Sequence, residues 1–334
     1  MHWHSAVIEE GASVTDLRSV HAARLAGLGA ALPDERITNG PVAAAIGVDE
    51  TWIARRTGID ERRRAGEGVG TTDLAEHAAR AALDDAGVSA SEVDLVVVAT
   101  MTPDRVTPSV APVLAARLGT HGAAAYDVWA ACTGWLTALT TAAAQLETGR
   151  AQCALVVGAE RLTSILAPAD KMTTPLFGDG AAAAVLTANG EGGRLGPVVL
   201  GSDGTGADLI ACEVGGRLTM DGHETFRRAV SAMTGAARRV CDRAGIELQD
   251  VDLVVPHQAN ARITAAVADR LGLPADRIVD DIAQTGNTSA ATIPLALARA
   301  KAAGRLPDPG RVLVCAFGAG LTWGAALLEW EAAA

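Results

Sequence analysis

The stretch Asp84–Val97, DDAGVSASEVDLVV, returns in the second half of the chain as Asp242–Val255, DRAGIELQDVDLVV. In each copy, a segment with helical periodicity ends at a glycine and is followed by a short loop and a β-branched apolar run. This order is typical of a helix, a turn and a buried strand. A repeat at so long a spacing indicates an internal duplication. The sequence therefore predicts two related α/β halves.

A second repeated motif lies near the end of each half. Phe177–Gly180 (FGDG) precedes the apolar run Ala181–Leu186, and Phe317–Gly320 (FGAG) precedes Leu321–Leu328. Each pair predicts a tight turn followed by a terminal strand. Between these marks, strand–helix pairs are predicted at corresponding places: Ala124–Trp129 before Gly134–Glu147, and Arg277–Asp281 before Ser289–Ala303.

The alternation of strands and helices predicts mainly parallel sheets covered on both faces. We divide the chain into an N-terminal tail at residues 1–20, a first half at 21–190 and a second half at 191–334. With 334 residues the chain is long enough for two such units, because single cores stop growing at roughly 250–300 residues.

Composition restricts the function classes. Apolar residues make up 49% and charged residues 20%, as in globular proteins. Because no apolar run approaches about 18 residues and the N-terminus does not resemble a secretory signal, we expect a cytoplasmic protein without membrane association. The five cysteines include no CxxC pair, which argues against disulfides and a metal site. The net charge of −11 argues against nucleic-acid binding, so an acidic partner requires a local basic patch.

Cys132 lies between a predicted strand and a predicted helix, in the sequence Tyr126–Trp135 (YDVWAACTGW). Free backbone N–H groups and the helix dipole at such a junction favour a thiolate, so we expect a lowered thiol pKa and a nucleophilic role. Taken alone, the segment also fits a buried structural cysteine.

Two further side chains lie at strand exits of the second half. His257 follows the buried run Val254–Pro256, and a helix is predicted from about Ala261. Asn287 stands in a glycine-containing turn, at the place that Cys132 has in the first half. Alone, they would be interpreted as a satisfied core histidine and a helix cap. Together with Cys132 they lie at corresponding strand exits, where ligands of α/β sheets collect, and can face one cavity.

With these three residues in context, the chain resembles β-ketoacyl-acyl-carrier-protein synthase III and its relatives of the thiolase fold. The match covers nearly everything after about residue 20. Its further motifs are Leu32-Pro33 with Thr38-Asn39, Trp52-Ile53 with Arg56–Ile59, Phe177–Gly180 and Phe317–Trp323. The resemblance implies two βαβαβαββ halves that form a five-layered αβαβα architecture.

The resemblance also implies a reaction in two halves. The Cys132 thiolate takes an acyl group from a coenzyme A or carrier-protein thioester, and backbone N–H groups of Cys132 and Ala319 hold the oxyanion. A malonyl thioester then loses carbon dioxide, and His257 Nε2 and Asn287 Nδ2 stabilise the enolate that attacks the acyl group. No permanently bound cofactor is expected.

Several residues match substrate-binding positions of the family. Trp52 and Arg56 correspond to residues at the coenzyme A entrance, where an indole and a cation can hold adenine. Lys171 stands where relatives often have arginine, Trp135 stands where phenylalanine is expected, and Phe317 is a further predicted contact. Trp52 packing on its own helix and Arg56 on a solvated face remain alternatives.

The resemblance implies partners as well. Arg227, Arg262 and Arg270 match positions that present basic side chains to the acidic carrier protein, although each alone fits an ordinary surface arginine. A homodimer is expected, with the loop Thr102–Pro108 contributing to the neighbour's pocket wall.

Departures from the family pattern indicate a specialised substrate. They are Trp135, Lys171 and a shortened region near Ile210–Thr219, and they fit a relative recruited to natural-product assembly such as polyketide priming. The resemblance as a whole implies fatty-acid or polyketide biosynthesis. Two alternatives stay open at this point: acyl transfer to an amine or hydroxyl without condensation, and a non-catalytic partner subunit of the same fold.

Overall fold

A computed structural model describes residues 21–331, so the predicted tail at residues 1–20 lies outside the described residues. The strands are β1 Ala23–Ala31, β2 Glu35–Thr38, β3 Glu61–Arg64, β4 Leu95–Ala99, β5 Ala124–Val128, β6 Cys153–Arg161, β7 Asp179–Ala188, β8 Gly193–Ser202, β9 Ile210–Ala211, β10 Thr219–Met220, β11 Leu253–Pro256, β12 Gly310–Gly318 and β13 Thr322–Trp330. The α-helices are α1 Asn39–Ile46, α2 Glu50–Thr57, α3 Thr71–Ala86, α4 Val110–Leu118, α5 Gly134–Glu147, α6 Gly222–Ala244, α7 Ala261–Leu271 and α8 Thr292–Ala302.

Both copies of the repeated stretch fold as predicted. Helix α3 ends at Gly87 and helix α6 at Gly245, with φ angles of 65° and 68°. Glycine adopts this left-handed conformation without steric cost, which is why both helices end there. The following apolar runs form β4 and β11, and the predicted boundary after residue 190 falls in the turn between β7 and β8.

The main sheet has nine strands within the described residues, in the order β11-β12-β13-β8-β1-β7-β6-β4-β5. Strands β4, β5 and β6 pair in parallel, as do β11 and β12. All other neighbours are antiparallel. The prediction of mainly parallel sheets is therefore wrong, because each half closes with an antiparallel strand, β7 or β13, that pairs again with β1 or β8.

Alternating residues of the strands face opposite layers, as the two-residue period of a strand requires. In β4, Val97 joins a central core with α5 and α8, whereas Val96 and Val98 pack against α3 and α4. In β12, Val314 faces the same central core, and Leu313 faces α6 and α7. The two ends of the nine-stranded sheet, joined by only two residue pairs between β1 and β8, lie on either side of this central core and form two sheet layers. The layers are thus helix, sheet, helix, sheet, helix, which confirms the five-layered thiolase-like architecture.

The predicted strand Arg277–Asp281 is wrong in extent. Ala275–Arg277 forms a 3-10 turn, and only Ile278 makes a bridge, to Val254. The flanking charged residues disfavour a strand, and Asp281 instead pairs with Arg299, 2.7 Å away. No helix within residues 21–331 is both long and apolar enough to span a membrane.

Candidate active site

Cys132 lies in a 3-10 turn, Ala131–Thr133, which leads directly into α5 and is called the first turn below. Ala131 has a φ of 45°, a left-handed conformation that is uncommon for alanine and is found mostly where surrounding structure imposes it. The end of β12 lies against this turn: a Cβ on Gly318 would come within 2.9 Å of Cys132 N. Glycine at position 318 therefore allows the second half to approach the thiol.

His257 directly follows β11 and is 2% exposed. Its backbone N–H donates to Cys315 O at 2.7 Å, and its Nδ1 lies 2.6 Å from Thr292 Oγ1 at the start of α8. The Thr292 hydroxyl is also 3.0 Å from Ser289 O, to which it can donate. The ring is thus held through Nδ1, which leaves Nε2 as the nitrogen available for chemistry.

Asn287 precedes a second 3-10 turn, Ser289–Ala291, called the second turn below. The Asn287 N–H donates to Leu176 O at 2.8 Å, and its side-chain Oδ1 accepts from Ser289 N at 2.8 Å. Because Oδ1 is occupied by a backbone donor, the orientation of the amide is set and Nδ2 remains as a donor. Asn287 is 4% exposed and lines the same cavity as Cys132 and His257.

Ala319, the predicted second oxyanion donor, also lines this cavity. Its carbonyl lies 3.0 Å from the Thr322 hydroxyl, which in turn lies 2.8 Å from Thr133 Oγ1. Thr133 belongs to the first turn, so these two hydroxyls tie the backbone at Ala319 to the backbone at Cys132. The sequence alone gave no sign of this link.

The expected lowering of the Cys132 pKa is not found. Burial raises the pKa of the thiol to about 12, although a hydrogen bond from the Ser289 hydroxyl lowers it in part. The start of α5 favours a thiolate, but the desolvation of the buried sulfur outweighs that effect. Burial likewise lowers the pKa of His257 to about 3. The resting pair is therefore a neutral thiol and a neutral imidazole.

The cavity has a volume of about 510 Å³, within the range of small-molecule sites. Trp52, Arg56 and Lys171 line it, and Lys171 is exposed. The Arg56 guanidinium lies 4.5 Å from the centre of the Trp52 ring, one helical turn away on α2. The indole face is thus covered by its own neighbour in the free protein.

Two predicted substrate contacts differ in their placement. Phe317 lines the cavity and is 4% exposed. Trp135 does not line it: its ring is 1% exposed in the central core, where Nε1 lies 3.4 Å from Val156 O. The position of Trp135, one residue into α5, turns its side chain toward β6, so its placement departs from the predicted substrate contact.

The three arginines of the predicted carrier-protein patch are not brought together at one point. Arg262 lines the cavity and lies 5.8 Å above the Phe226 ring. Arg227 faces a separate depression and pairs with Glu224 at 2.6 Å. Arg270 is exposed in the last turn of α7, about 12 Å along that helix from Arg262 at 1.5 Å per residue.

Sequence reasoning missed Ser289, Thr292 and the buried carboxyl Glu160. Ser289 lines the cavity, and its φ of 49° repeats that of Ala131. The duplication could have revealed this serine, because it begins the turn that corresponds to the first turn. Glu160 had a signal too, since it is a single carboxylate near the end of the apolar run Cys153–Ala159.

Comparisons with known proteins give one answer. The family model of 3-oxoacyl-[acyl-carrier-protein] synthase III matches residues 126–204, and the family model of its C-terminal part matches residues 241–330. The chain is 48% identical to β-ketoacyl-[acyl-carrier-protein] synthase III 3 of Streptomyces coelicolor, over 93% of this chain and 98% of that protein.

Solved structures agree. The 3-oxoacyl-(acyl carrier protein) synthase III of Pseudomonas aeruginosa superimposes with a TM-score of 0.89 at 45% identity, over 94% of this chain and 99% of that one. The priming β-ketosynthase of the R1128 polyketide pathway also gives a TM-score of 0.89, at 39% identity over 94% and 98%. The chain therefore belongs to the β-ketoacyl-[acyl-carrier-protein] synthase III family of condensing acyltransferases.

Proposed function

We propose that this enzyme loads an acyl group from a coenzyme A or carrier-protein thioester onto Cys132 and condenses it decarboxylatively with a malonyl thioester, in fatty-acid or polyketide biosynthesis. One observation carries the proposal: a thiol of the first half and an imidazole and an amide of the second half line a single cavity. A thiol supplies the nucleophile, and two neutral donors suit an oxygen that gains negative charge.

In the first half-reaction, the Cys132 thiol attacks the thioester carbonyl, and its proton passes to His257 Nε2. The attraction between thiolate and imidazolium offsets the burial that keeps each group neutral at rest. The N–H groups of Cys132 and Ala319 hold the oxyanion until the thiol leaving group departs with the proton. The products are acyl-Cys132 and a free thiol.

In the second half-reaction, the malonyl thioester loses carbon dioxide, and the electron pair of the broken C–C bond forms an enolate. Asn287 Nδ2 and His257 Nε2–H donate to the enolate oxygen. The Thr292 hydroxyl can accept from Nδ1–H or donate to bare Nδ1, so it supports both tautomers that the two half-reactions need. The enolate carbon then attacks the acyl group, and the Cys132 thiolate leaves.

Both classes of acyl donor, coenzyme A thioesters and carrier-protein thioesters, fit the cavity entrance. Arg56, Lys171 and Arg262 provide cations for the phosphates of coenzyme A or of the carrier-protein arm. We assign protein docking to Arg227, Arg262 and Arg270. Charge reversal at Arg262 should weaken catalysis with carrier-bound substrate most at low salt, and equal losses with coenzyme A substrate would count against this docking role.

We further propose a cytoplasmic homodimer. Strand β5 forms one edge of the sheet, Trp129 directly after it is 65% exposed, and Val106 in the loop Thr102–Pro108 is 86% exposed. Unpaired strand edges and exposed large apolar side chains are typical of surfaces that pair. Sedimentation that finds an active monomer at assay concentration would contradict the homodimer.

The test of the proposed function uses two measurements on the wild-type enzyme. Intact mass spectrometry after incubation with acyl-coenzyme A and acyl-carrier thioesters should show one acyl adduct. Labelled carbon dioxide should then be released from a malonyl thioester as the β-ketoacyl product forms. Acylation without carbon dioxide release, with transfer of the acyl group to amines or alcohols, would overturn the condensing assignment.

A further inference from the structure

Glu160 is a carboxyl that the mechanism above does not use. It is 0% exposed, and every hydrogen-bond donor found for it within residues 21–331 is neutral. Its Oε2 accepts from the Thr102 hydroxyl at 2.6 Å, from Met101 N at 3.1 Å and from the Thr100 hydroxyl at 3.3 Å. Its Oε1 has only a long contact, 3.3 Å from Met101 N. One oxygen of a buried carboxyl is therefore nearly free.

The second turn approaches the side of β6 on which Glu160 lies. Gly158 and Glu160 are two residues apart on β6 and so face the same side of the sheet. A Cβ on Gly158 would come within 2.5 Å of Ala290 O, which shows how closely the second turn approaches this side of β6. Ser289 begins that turn, and its hydroxyl lies 3.8 Å from Met101 Sδ, on the same residue whose N–H binds Glu160.

Ser289 also faces the nucleophile. It is 1% exposed and lines the cavity together with Cys132. Burial raises the pKa of Glu160 to about 7, and a Ser289 hydrogen bond is among the contacts that lower it. The Ser289 hydroxyl likewise lowers the pKa of the Cys132 thiol in part, against the larger effect of burial. Ser289 therefore lies in the same cavity as Cys132 and contacts Met101, the residue whose N–H binds Glu160.

We propose that Ser289 and Glu160 form a polar relay behind the nucleophile, in which the Ser289 hydroxyl bridges Cys132 Sγ and Glu160 Oε1. Glu160 is a positioning residue that acts on Cys132 through Ser289. This inference rests on the assignment of Cys132 as the acyl-carrying thiol.

The relay has two states. When Glu160 is ionised, the Ser289 hydroxyl donates to it and turns a lone pair toward Cys132, which favours the protonated thiol. When Glu160 is protonated, it donates to Ser289 Oγ, and the serine proton turns toward the sulfur and favours the thiolate. The thiol proton itself still goes to His257.

Few other ionisable groups face Glu160. Arg161 of β6 and Asp179 of β7 lie opposite each other in the strand register, and their side chains point to the side of the sheet away from Glu160. Asp179 is held there by Ala65 N and by Thr163. The adjoining residues of β4 and β7, Ala99 and Gly180, carry no ionisable side chain. Cys132 is therefore the group whose ionisation Glu160 affects.

The test is the rate of Cys132 alkylation by iodoacetamide as a function of pH, mapped by mass spectrometry. Glu160→Gln removes the charge and keeps a side-chain donor for Ser289. It should move the alkylation profile to lower pH and accelerate alkylation at pH 7.5 by about tenfold, the factor for one pKa unit. Glu147→Gln, at the far end of α5, is the matched control and should behave as wild type.

Below about pH 7, where Glu160 is protonated and the serine proton faces the sulfur, Ser289→Ala should slow alkylation by about fivefold, because a hydrogen bond to the thiolate is lost. Alanine is accommodated at the corresponding position of the first turn, where Ala131 has nearly the same φ. Ser289→Gly, which relieves the left-handed strain, should give the same slowing. In the Ser289→Ala background, Glu160→Gln should accelerate alkylation by less than about threefold, since coupled residues are not additive.

A second readout is the pH dependence of unfolding. A carboxyl whose pKa is raised on folding contributes stability below its unfolded value of about 4.5 that is lost as pH rises through about 7. Glu160→Gln should therefore gain stability relative to wild type as pH rises from 5 to 8.

Unchanged alkylation in Glu160→Gln, or the same acceleration with and without Ser289, would overturn the relay. If the alkylation shifts appear but no thioester acylates Cys132, the proposed function fails and the relay stands. If acylation proceeds but no shift appears, the relay alone fails.

Discussion

The first and second turns have nearly the same backbone and different chemistry. Each is a three-residue 3-10 turn that leads into a central helix, and each begins with a left-handed residue, Ala131 at 45° and Ser289 at 49°. The middle residue is Cys132 in one and Ala290 in the other. The polar groups of the second turn lie at its first residue, Ser289, and just before it, at Asn287.

Each turn is completed by the opposite half. Gly318 of β12 lies against Cys132, and Gly158 of β6 lies against Ala290. The duplication thus produced the same backbone turn twice, and each turn packs against a strand of the other half. The difference teaches that Ala290, not Asn287, occupies the position that corresponds to Cys132. A nucleophile and the donors that serve it were placed at different positions of one repeated turn, so that they face each other across a cavity.

The largest effect is expected from removing the Cys132 thiol, the nucleophile of the first turn. Cys132→Ala should take up no acyl group from any thioester, because no other thiol stands at a helix start facing His257 and Asn287. Intact mass spectrometry measures the adduct, with Cys212→Ala as the matched control. A label that persists in Cys132→Ala, or maps to Cys153, Cys212, Cys241 or Cys315, would contradict this division of roles.

The next largest effect is expected from removing the Asn287 amide, the hydrogen-bond donor just before the second turn. Asn287→Ala should still form acyl-Cys132 but lose about 2.7–4 kcal/mol of transition-state stabilisation in the malonyl step, the scale of one oxyanion donor. Asn287→Asp should also be poor, because a carboxylate would face the enolate. Release of labelled carbon dioxide measures the step, and Gln249→Ala, on an exposed residue, is the control. Equal losses in acylation and decarboxylation would remove the distinction between the turns.

The third prediction replaces Gly318 and Gly158, the glycines that lie against the first and second turns, with alanine. Gly318→Ala should slow acylation by about tenfold or more, because the new Cβ displaces the backbone of Cys132. Gly158→Ala, whose Cβ meets Ala290 O, should instead impair decarboxylation and cost about 1–3 kcal/mol of stability by overpacking. Gly66→Ala, in open space, is the control. Single-turnover acylation and carbon dioxide release separate the steps, and a reversed pattern would break the comparison.

The smallest expected effect concerns the link that fixes Ala319 to the first turn. Thr322→Val removes the hydroxyl between Thr133 and Ala319 and should cost about 0.5–1.5 kcal/mol, the net value of one hydrogen bond. Acylation should slow severalfold, while decarboxylation by preformed acyl-enzyme changes little. Thr322→Ser keeps the hydroxyl and should restore the acylation rate. Failure of serine to restore it would assign the effect to packing.

The sequence by itself determined the duplication, the family and the bounds of the elements around the repeat and Cys132. The helices of the repeat end at Gly87 and Gly245 as predicted, because a left-handed helix end is a local requirement of the backbone. The strand before Cys132 and the helix after it also form within a residue of the predicted bounds. Local periodicity and glycine placement were sufficient for these features.

Only the tertiary structure decided which surfaces meet. It set the antiparallel pairing of β7 with β6 and of β13 with β12, buried Trp135 against β6, and buried Glu160 and Ser289. It also decided the direction of the Cys132 pKa, because burial by residues distant in the chain outweighs the local effect of a helix start. Contacts between the two halves fix all these properties, and no short stretch of sequence contains them.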